Sequence, residues 1–502
     1  MPLPSLPPLE EEWGPLTGEQ VGQAYVSALS SQTRARHGRH YTPSHLAHHL
    51  WTMTRDALGM GHGAQPLPGL VRDPACGAGA LLLPVLREHI TGSHHIDPRL
   101  VLAGLPRVIE GIDTDPAAIW IANVLMAAEL LPVLSRVPER RRRPLPALAR
   151  VGDGLEAQPV RARAVVMNPP YGRVKLDAND RARFADVLFG HANLYGVFMA
   201  AGEDQLTPDG VMGALVPTSF TAGRYFSPLR QRLSSRSRLQ SVTFVEGRSG
   251  VFTTVLQETC LATFTRKRIR RTSVSSIGAA VTSIATVATP AGARPWVLPR
   301  RSDLAAISAS AATMPLSLAA AGWRASTGPL VWNRRKEDLT PEGGTRVVWA
   351  ADLDGGALHQ DHQRDTLRTL SFRSEADRAT LCLTEPAVLV QRTTAPEQHR
   401  RIVAVELTAR ALADLGGAVV VENHVNVLRP ALAPLLSHRL LARLLCTKTL
   451  DAVARCIAGS VALSCFELES LPLPAADILA SWEPLEGAEL ERAVANAYRP
   501  AS

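Results

Sequence analysis

The sequence predicts an α/β fold, with a largely parallel, doubly wound sheet that carries helices on both faces, followed by an α+β region. Seven short apolar runs alternate with helical patterns between Leu70 and Phe264, as expected of strands joined by crossover helices. From about residue 300 onward, short strand-like runs lie between irregular loops. A chain of 502 residues is also too long for one ordinary core. We therefore predict a first domain over residues 1–270, a linker over 271–300 and a second domain over 301–502.

The composition is that of a globular protein, with 46% hydrophobic and 20% charged residues. No apolar run approaches the roughly 18 residues of a membrane span, and Met1–Trp13 lacks the pattern of a signal peptide, so we expect a cytoplasmic protein without a membrane partner. The cysteines and histidines show no zinc or HExxH spacing, which predicts reduced thiols and no metal site. A net charge of +8 favours a polyanionic partner such as nucleic acid.

The first domain is predicted to begin with a helical lead-in near residues 17–31. The run Tyr41-Thr42-Pro43-Ser44 follows, and apolar residues then recur at helical spacing from Leu46 to Leu58. Thr42 or Ser44 is placed to cap this second helix with its side-chain oxygen.

A glycine turn joins the first predicted strand to the next helix, in the run Asp73-Pro74-Ala75-Cys76-Gly77-Ala78-Gly79. Gly77 and Gly79 allow the backbone to approach a ligand closely. The second predicted strand ends in Asp113-Thr114, where a carboxylate can accept hydrogen bonds from both hydroxyls of a ribose. Asp113 lies 34 residues past Gly79, and a third glycine is missing, so the pattern argues against a dehydrogenase. Asp153 follows a third strand and can accept from an adenine amino group; capped turns would explain the same acids.

A stiff polar turn follows the buried run Val165-Val166-Met167, namely Asn168-Pro169-Pro170-Tyr171. The two prolines cannot donate to a strand ladder and hold the backbone extended, so Asn168 and Tyr171 should stand at the carboxyl end of a strand, where α/β sheets bind ligands. The Asn168 side-chain oxygen and the Pro169 carbonyl can accept both hydrogens of an amino group on a planar ring, and Tyr171 can stack on that ring. A plain proline-rich turn is the structural alternative.

The motifs, taken in chain order, resemble those of gamma-class adenine-N6 DNA methyltransferases of type II restriction–modification systems. Tyr41-Thr42-Pro43 resembles their first cofactor motif, the Asp73–Gly79 turn their S-adenosyl-L-methionine loop, and Asn168-Pro169-Pro170-Tyr171 their catalytic motif. Runs in the second half are similar to the BsuBI/PstI-like subgroup: Gln391-Arg392-Thr393-Thr394-Ala395, Gln398-His399-Arg400-Arg401, Val421-Glu422-Asn423-His424-Val425-Asn426 and Leu471-Pro472-Leu473-Pro474.

The resemblance implies a Rossmann-like S-adenosyl-L-methionine-dependent methyltransferase sheet in the first domain and a DNA target-recognition domain in the second. It implies that Thr42 and the Asp73–Gly79 loop hold the methionine part of the cofactor. Asp113 would take the ribose hydroxyls, Thr114 would pack on the adenine ring and Asp153 would accept from the adenine amino group. Tyr171 would stack on one face of a flipped-out target base, and Phe252 on the other.

Double-stranded DNA is the partner that the resemblance implies, with a cognate restriction endonuclease encoded nearby as a further expectation. Polar residues of the second domain would read base edges in the major groove: Gln391, Arg392, Gln398, His399, Arg400, Asn423 and Asn426. Three alternatives stay open. They are an N4-cytosine DNA methyltransferase, a methyltransferase for RNA or protein glutamine, and a non-catalytic DNA specificity protein.

Overall fold

The chain divides into two compact units, Met1–Phe220 with Tyr225–Ala293 and Thr221–Arg224 with Arg294–Ser502. The computed structural model describes residues 18–28, 42–246, 258–354, 356–359, 367–394, 398–431, 433–457 and 462–499. Each unit has its own buried apolar core within these ranges.

The first unit is built on a mixed sheet of nine strands, with a separate two-stranded hairpin. The strands are β1 (Val71–Asp73), β2 (Ile109–Asp113), β3 (Ala149–Val151), β4 (Ala162–Met167), β5 (Arg173–Val174), β6 (Ala192–Asn193), β7 (Leu206–Pro217), β8 (Arg238–Val245), β9 (Thr259–Thr265), β10 (Arg271–Ile277) and β11 (Val281–Ala288). β5 and β6 form the hairpin, and the others are ordered β11-β10-β8-β9-β7-β4-β1-β2-β3.

Strands β3, β2, β1, β4 and β7 lie in this order and run parallel to one another. β9 runs antiparallel to both β7 and β8, as β11 does to β10. Because the carboxyl ends of β1 to β4 meet at one edge, the turns that follow these four strands are brought together there. The predicted α/β fold is confirmed.

Helices cover both faces of this sheet. They are α1 (Gly18–Ala28), α2 (Ser44–Leu58), α3 (Leu82–Gly92), α4 (Pro98–Gly104), α5 (Pro116–Ser135), α6 (Ala178–Arg183), α7 (Leu194–Asp204), α8 (Ser219–Ala222, which spans the boundary between the units) and α9 (Ser227–Arg236). Along β4, Ala164 and Val166 belong to the core cluster that contains α2 and α3, whereas Val165 and Met167 lie against Gly202 of α7. Successive side chains of a strand point to opposite faces, so α2 and α7 cover opposite sides.

The N-termini of α5 and α2 differ in how they are capped. Asp115 caps α5, because its side chain accepts from the N–H of Ala117 and Pro116 occupies the first turn. The cap predicted for α2 from Thr42 or Ser44 is wrong. Pro43 precedes that helix, and no side chain caps it.

The linker predicted over residues 271–300 is also wrong, because 271–288 contains β10 and β11. Val274 and Ile277 of β10 are buried, and the Thr272 hydroxyl donates to the Leu239 carbonyl of β8. Small serine, threonine and alanine residues made the stretch resemble a linker, yet threonine and valine are good strand residues. The first unit ends at Ala293, not near 270.

α5 corrects the expectation that no segment approaches a membrane span. In the described part of the chain it is the one helix long and apolar enough to cross a membrane, by length and composition alone. Ile119, Ala122, Met126 and Leu130 of this helix are buried in the core of the first unit. This face packs on the sheet, while Trp120, Val124 and Leu131 of the same helix are exposed.

The second unit is α+β, as predicted. Its strands are Leu316–Ser317, Trp323–Thr327, Leu339–Thr340, Thr345–Val348, Leu353–Asp354, Ala357–Leu358, Thr369–Leu370, Cys382–Leu383, Ala387–Gln391, Ala404–Leu407, Val419–Val421, Val425–Pro430 and Pro472–Leu473. Its helices are Ala305–Ala311, Glu375–Leu381, Ala409–Asp414, His438–Leu445, Lys448–Ile457, Cys465–Glu469, Ala476–Ser481 and Gly487–Ala497. The strands form sheets of five, four, two and two.

Candidate active site

The turn after β1 is shaped by two glycines and one buried acid. Gly77 and Gly79 have φ values of 50° and 84°, the left-handed region that glycine adopts at little cost. Asp73 is only 1% exposed, and its Oδ1 accepts from the N–H of Ala75 at 3.0 Å. The predicted close-approach turn is therefore present, with Asp73 beneath it.

The turn after β2 is tied to the glycine turn through Asp113. Its Oδ2 accepts from the N–H of Gly77 at 2.9 Å, and its Oδ1 accepts from the N–H of Asp115 at 2.9 Å. A carboxylate oxygen has a second lone pair, so both remain able to accept from a ligand hydroxyl. Thr114 stands between the two acids and lines the same cavity.

The turn after β3 passes very close to the β1 turn. The Asp153 Oδ1 accepts from the N–H of Leu155 at 2.9 Å, which fixes the carboxylate against its own turn. A Cβ added to Gly154 would lie 1.8 Å from the carbonyl oxygen of Pro74. Gly154 is thus required by the close approach of two backbones at the cavity wall.

Asn168 follows β4 and is held by a residue 126 positions earlier. Its Nδ2 donates to the Thr42 Oγ1 at 2.9 Å, and its Oδ1 accepts from the Tyr171 hydroxyl at 3.0 Å. The two contacts agree on the orientation of the amide, with the oxygen on the Tyr171 side. The hydroxyl that was predicted to cap α2 instead fixes the candidate catalytic side chain.

Tyr171 belongs to an aromatic cluster. Its ring meets Tyr195 edge-on at 6.0 Å between centroids, and Tyr195 stacks on Phe226 at 4.8 Å. Its hydroxyl also lies 3.1 Å from the carbonyl oxygen of Leu215 in β7. Burial raises the pKa of Tyr171, so the hydroxyl stays protonated and donates to one of these oxygens. The ring is half-buried, and its stacking on a base stays a prediction.

One cavity of about 370 Å³ collects most of the predicted cofactor residues. Those that line it are Thr42, Asp73, Pro74, Ala75, Cys76, Gly77, Asp113, Thr114 and Asp153, together with Asn168 and Pro170 of the catalytic motif. Four predicted residues are near in sequence but are not part of its lining: Pro43, Gly79, Pro169 and Tyr171. Tyr41 and Phe252 lie outside the described residues.

Several lining residues were not predicted from the sequence. They are Tyr25, Ala80, Leu81, Ala118, Gly152, Gly154, Leu155, Val174, Leu194 and Phe198, whereas Ala78 belongs to the predicted Asp73–Gly79 loop. Leu194 and Phe198 lie in the first half of α7, which follows the Asn168 turn along the chain. Their position after that motif could have indicated that they line the same cavity. No local pattern marks Tyr25.

Burial dominates the electrostatics at the base of the cavity. It raises the pKa of Asp73 from its usual 3.8 to about 8, and the charge of Asp113 acts in the same direction. The N–H of Ala75 opposes the shift but is the smaller effect. Burial likewise raises the pKa of the Cys76 thiol, so this cysteine is an uncharged wall residue at neutral pH.

The Asp73 carboxyl should make folding stability depend on pH. Because its pKa is raised in the folded protein, the unfolded chain ionises first, and stability falls as pH rises from about 4 to about 8, by up to about 1.4 kcal/mol per unit. We expect the Asp73→Asn variant to gain stability relative to wild type across this window, with no further change above about pH 8. Urea unfolding across the window measures the difference. The exposed Asp477→Asn is the control, and a constant difference for Asp73→Asn would contradict the prediction.

The predicted base-reading residues of the second unit fall into two groups. Asn426 is fully buried and donates to the Leu463 carbonyl at 2.8 Å, so its predicted base contact is wrong. The Gln391 amide donates to the Ala350 and Leu353 carbonyls, so its N–H groups are used in hydrogen bonds within the protein.

The others stand nearer the surface. Gln398 and His399 are exposed, and Arg392, Arg400 and Asn423 are half-buried. Arg455 donates to the carbonyls of Gln398 and His399 and pairs with Asp451, which holds this loop in place. These five residues therefore remain candidates for contacts with DNA.

Comparison with known proteins decides the family of the catalytic motif. Residues 163–252 match the family described as Eco57I restriction-modification methylase. The segment that contains Asn168-Pro169-Pro170-Tyr171 is therefore similar to restriction-modification methylases. The predicted resemblance to DNA methyltransferases is thereby confirmed, and this similarity supports S-adenosyl-L-methionine as the cofactor.

Two type II methyltransferases are similar to the chain beyond that segment. M.BsuBI of Bacillus subtilis is 25% identical over 333 residues, which cover 63% of this chain and 66% of the relative. M.PstI of Providencia stuartii is 24% identical over 255 residues, which cover 48% of this chain and 50% of the relative. The predicted similarity to the BsuBI/PstI-like subgroup is confirmed, although the chain spans less than two thirds of either relative.

One solved structure resembles the fold over nearly the whole of this chain. The Type IIL restriction-modification enzyme MmeI, solved in complex with DNA, superposes with a TM-score of 0.53 at 13% identity, over 97% of this chain and 78% of MmeI. At that identity the likeness concerns the fold alone.

Proposed function

We propose that this protein transfers a methyl group from S-adenosyl-L-methionine to N6 of an adenine flipped out of duplex DNA. The observation that carries the proposal is the position of Asn168. Its amide stands at the end of β4, is fixed by Thr42, and lines one cavity with Asp73, Asp113 and Asp153. A neutral acceptor beside a cofactor-sized cavity suits chemistry on an amino group.

The cavity fits the cofactor in size and in donor chemistry. Small-molecule sites measure about 300 to 1,000 Å³, and this cavity holds about 370 Å³. Asp113 and Asp153 offer carboxylate oxygens for hydroxyl and amino groups, while the Gly77 turn gives backbone access. When bound, the cofactor supplies an electrophilic methyl group on its sulfonium.

The chain's own residues would orient the amino group. Asn168 Oδ1 and the Pro169 carbonyl each accept one amino hydrogen, which favours a pyramidal nitrogen with its lone pair free to attack. After transfer, the methylated nitrogen loses one proton. Asn168 is neutral and does not accept this proton, which passes to solvent. The Tyr171 hydroxyl can turn from Asn168 to the Leu215 carbonyl and so free Asn168 Oδ1 for the incoming amino group.

Recognition of the DNA sequence is proposed for the second unit, through the five surface candidates. We expect Gln398→Ala to weaken binding to the target site by about 1–3 kcal/mol without changing the free energy of unfolding, because the side chain is exposed. Asn426→Ala should instead destabilise the protein by about 1–3 kcal/mol, since it leaves the buried Leu463 carbonyl without its partner.

A binding titration and a denaturant titration on both variants check this pair. The reverse assignment, with altered specificity in Asn426→Ala and lost stability in Gln398→Ala, would contradict it.

The relatives' names suggest the biological setting. We propose that the enzyme works in the cytoplasm and protects DNA from a cognate restriction endonuclease. The similarity of this chain to the type II methyltransferases M.BsuBI and M.PstI supports this role.

The test is to incubate the purified protein with labelled S-adenosyl-L-methionine and mixed-sequence duplex DNA, digest to nucleosides and identify the labelled one. Label in N6-methyladenine is the expected result. Label in N4-methylcytosine would keep the amino-group chemistry and overturn the base. Cofactor binding without label in DNA would overturn the substrate and direct the search to RNA or protein glutamine.

A further inference from the structure

The helix α1 contributes a wall to the cofactor cavity, although it lies before every motif of the methylase. Val21 and Tyr25 pack, partly buried, against the core cluster that contains α2 and α3. Tyr25 also lines the cavity, and after α1 the next described segment of the chain begins at Thr42. The side chain of Tyr25 thus reaches the site from a part of the sequence without a recognisable motif.

A series of hydrogen bonds links Tyr25 to both cofactor turns. The Tyr25 hydroxyl donates to Asp115 Oδ2, and the other oxygen of Asp115 caps α5. The N–H of Asp115 donates to Asp113 Oδ1, and the N–H of Gly77 donates to Asp113 Oδ2. Tyr25 therefore contacts Asp115, and Asp115 is hydrogen-bonded to Asp113, the proposed ribose-binding residue.

We propose that Tyr25 is a cofactor-positioning residue, and that docking of α1 and binding of the cofactor stabilise each other. The inference rests on the proposed function for the identity of the cofactor. Loss of the Tyr25 hydroxyl removes one hydrogen bond to Asp115, and the turn that carries Asp113 and Thr114 gains freedom that the cofactor must then remove. By thermodynamic linkage, a helix that strengthens cofactor binding is itself held more firmly when cofactor is bound.

Two substitutions separate the hydroxyl from the ring. Tyr25→Phe keeps the packed ring and removes the hydroxyl that donates to Asp115, so it should fold normally. Tyr25→Ala removes both. Ser27→Ala is the matched control, because Ser27 is an exposed residue of the same helix.

The first measurement is equilibrium binding of S-adenosylhomocysteine to the full-length protein. We expect Tyr25→Phe to weaken binding by about 3- to 10-fold, Tyr25→Ala to weaken it further, and Ser27→Ala to leave it unchanged. With DNA present, Tyr25→Phe should raise the KM for the cofactor and leave kcat near wild type, a split that general destabilisation would not give.

The second measurement is hydrogen exchange of residues 18–28. S-adenosylhomocysteine should slow exchange in wild type and slow it less in Tyr25→Phe. The inference would be overturned if Tyr25→Phe bound S-adenosylhomocysteine as tightly as wild type, or if the ligand did not slow hydrogen exchange in residues 18–28. In either case, binding of the ligand by wild type would still support the proposed cofactor. Wild type that failed to bind would overturn both.

Discussion

Replacing Asn168 by alanine should lower the rate of methyl transfer by at least two to three orders of magnitude, while cofactor affinity stays within about threefold of wild type. The substitution removes the oxygen that accepts an amino hydrogen, and a preorganised polar group of this kind acts on the reacting atoms. Its loss leaves the acids of the cavity in place, because Asp113 and Asp153 are held by backbone N–H groups of their own turns and of Gly77.

Single-turnover methylation and cofactor titration on the same preparation measure the two effects separately. Asn179→Ala is the control, since it makes the same substitution at an exposed position of α6. Turnover of Asn168→Ala within tenfold of wild type would contradict the assigned role. A parallel loss of cofactor affinity would show instead that the contact with Thr42 shapes the cavity.

The local strand-and-turn patterns of the first unit were sufficient to predict that four of its turns meet at one site. Asp73, Asp113 and Asp153 stand at or just after the ends of short strands, and Asn168 follows the buried run Val165-Val166-Met167. All four strands belong to the parallel half of the sheet. Parallel strands end at the same edge, so four separate turns could be expected to meet at one site.

Contacts between distant segments could not be predicted in this way. Thr42 or Ser44 was predicted to cap α2, because capping depends only on neighbouring residues. The bond between the Thr42 hydroxyl and Asn168 depends instead on the packing of α2 on the sheet. Tyr25 reaches Asp115 for the same kind of reason. In the second unit, Asn426 was expected at a DNA surface from its polarity alone, and only the pairing of its strand shows that it is buried.

Replacing Gly154 by alanine should weaken cofactor binding at least about tenfold and lower the free energy of unfolding by about 1–3 kcal/mol. The new Cβ would lie 1.8 Å from the Pro74 carbonyl oxygen and 2.6 Å from its carbonyl carbon. Both are backbone atoms, so no side-chain rotation relieves the clash. Either the turn that carries Asp73 or the turn that carries Asp153 must move, and both line the cavity.

Gly104→Ala is the control, because no atom lies within 4 Å of a Cβ placed there. It ends α4, where alanine favours the helix, so wild-type binding and equal or slightly greater stability are expected. Calorimetric titration and urea unfolding of the two variants measure both quantities. A Gly154→Ala protein with full cofactor affinity would mean that the β1 and β3 turns can separate without loss, and that cofactor binding does not depend on their close approach. A Gly154→Ala variant that loses cofactor affinity but keeps its stability would mean that the added Cβ distorts the cavity without changing the free energy of unfolding.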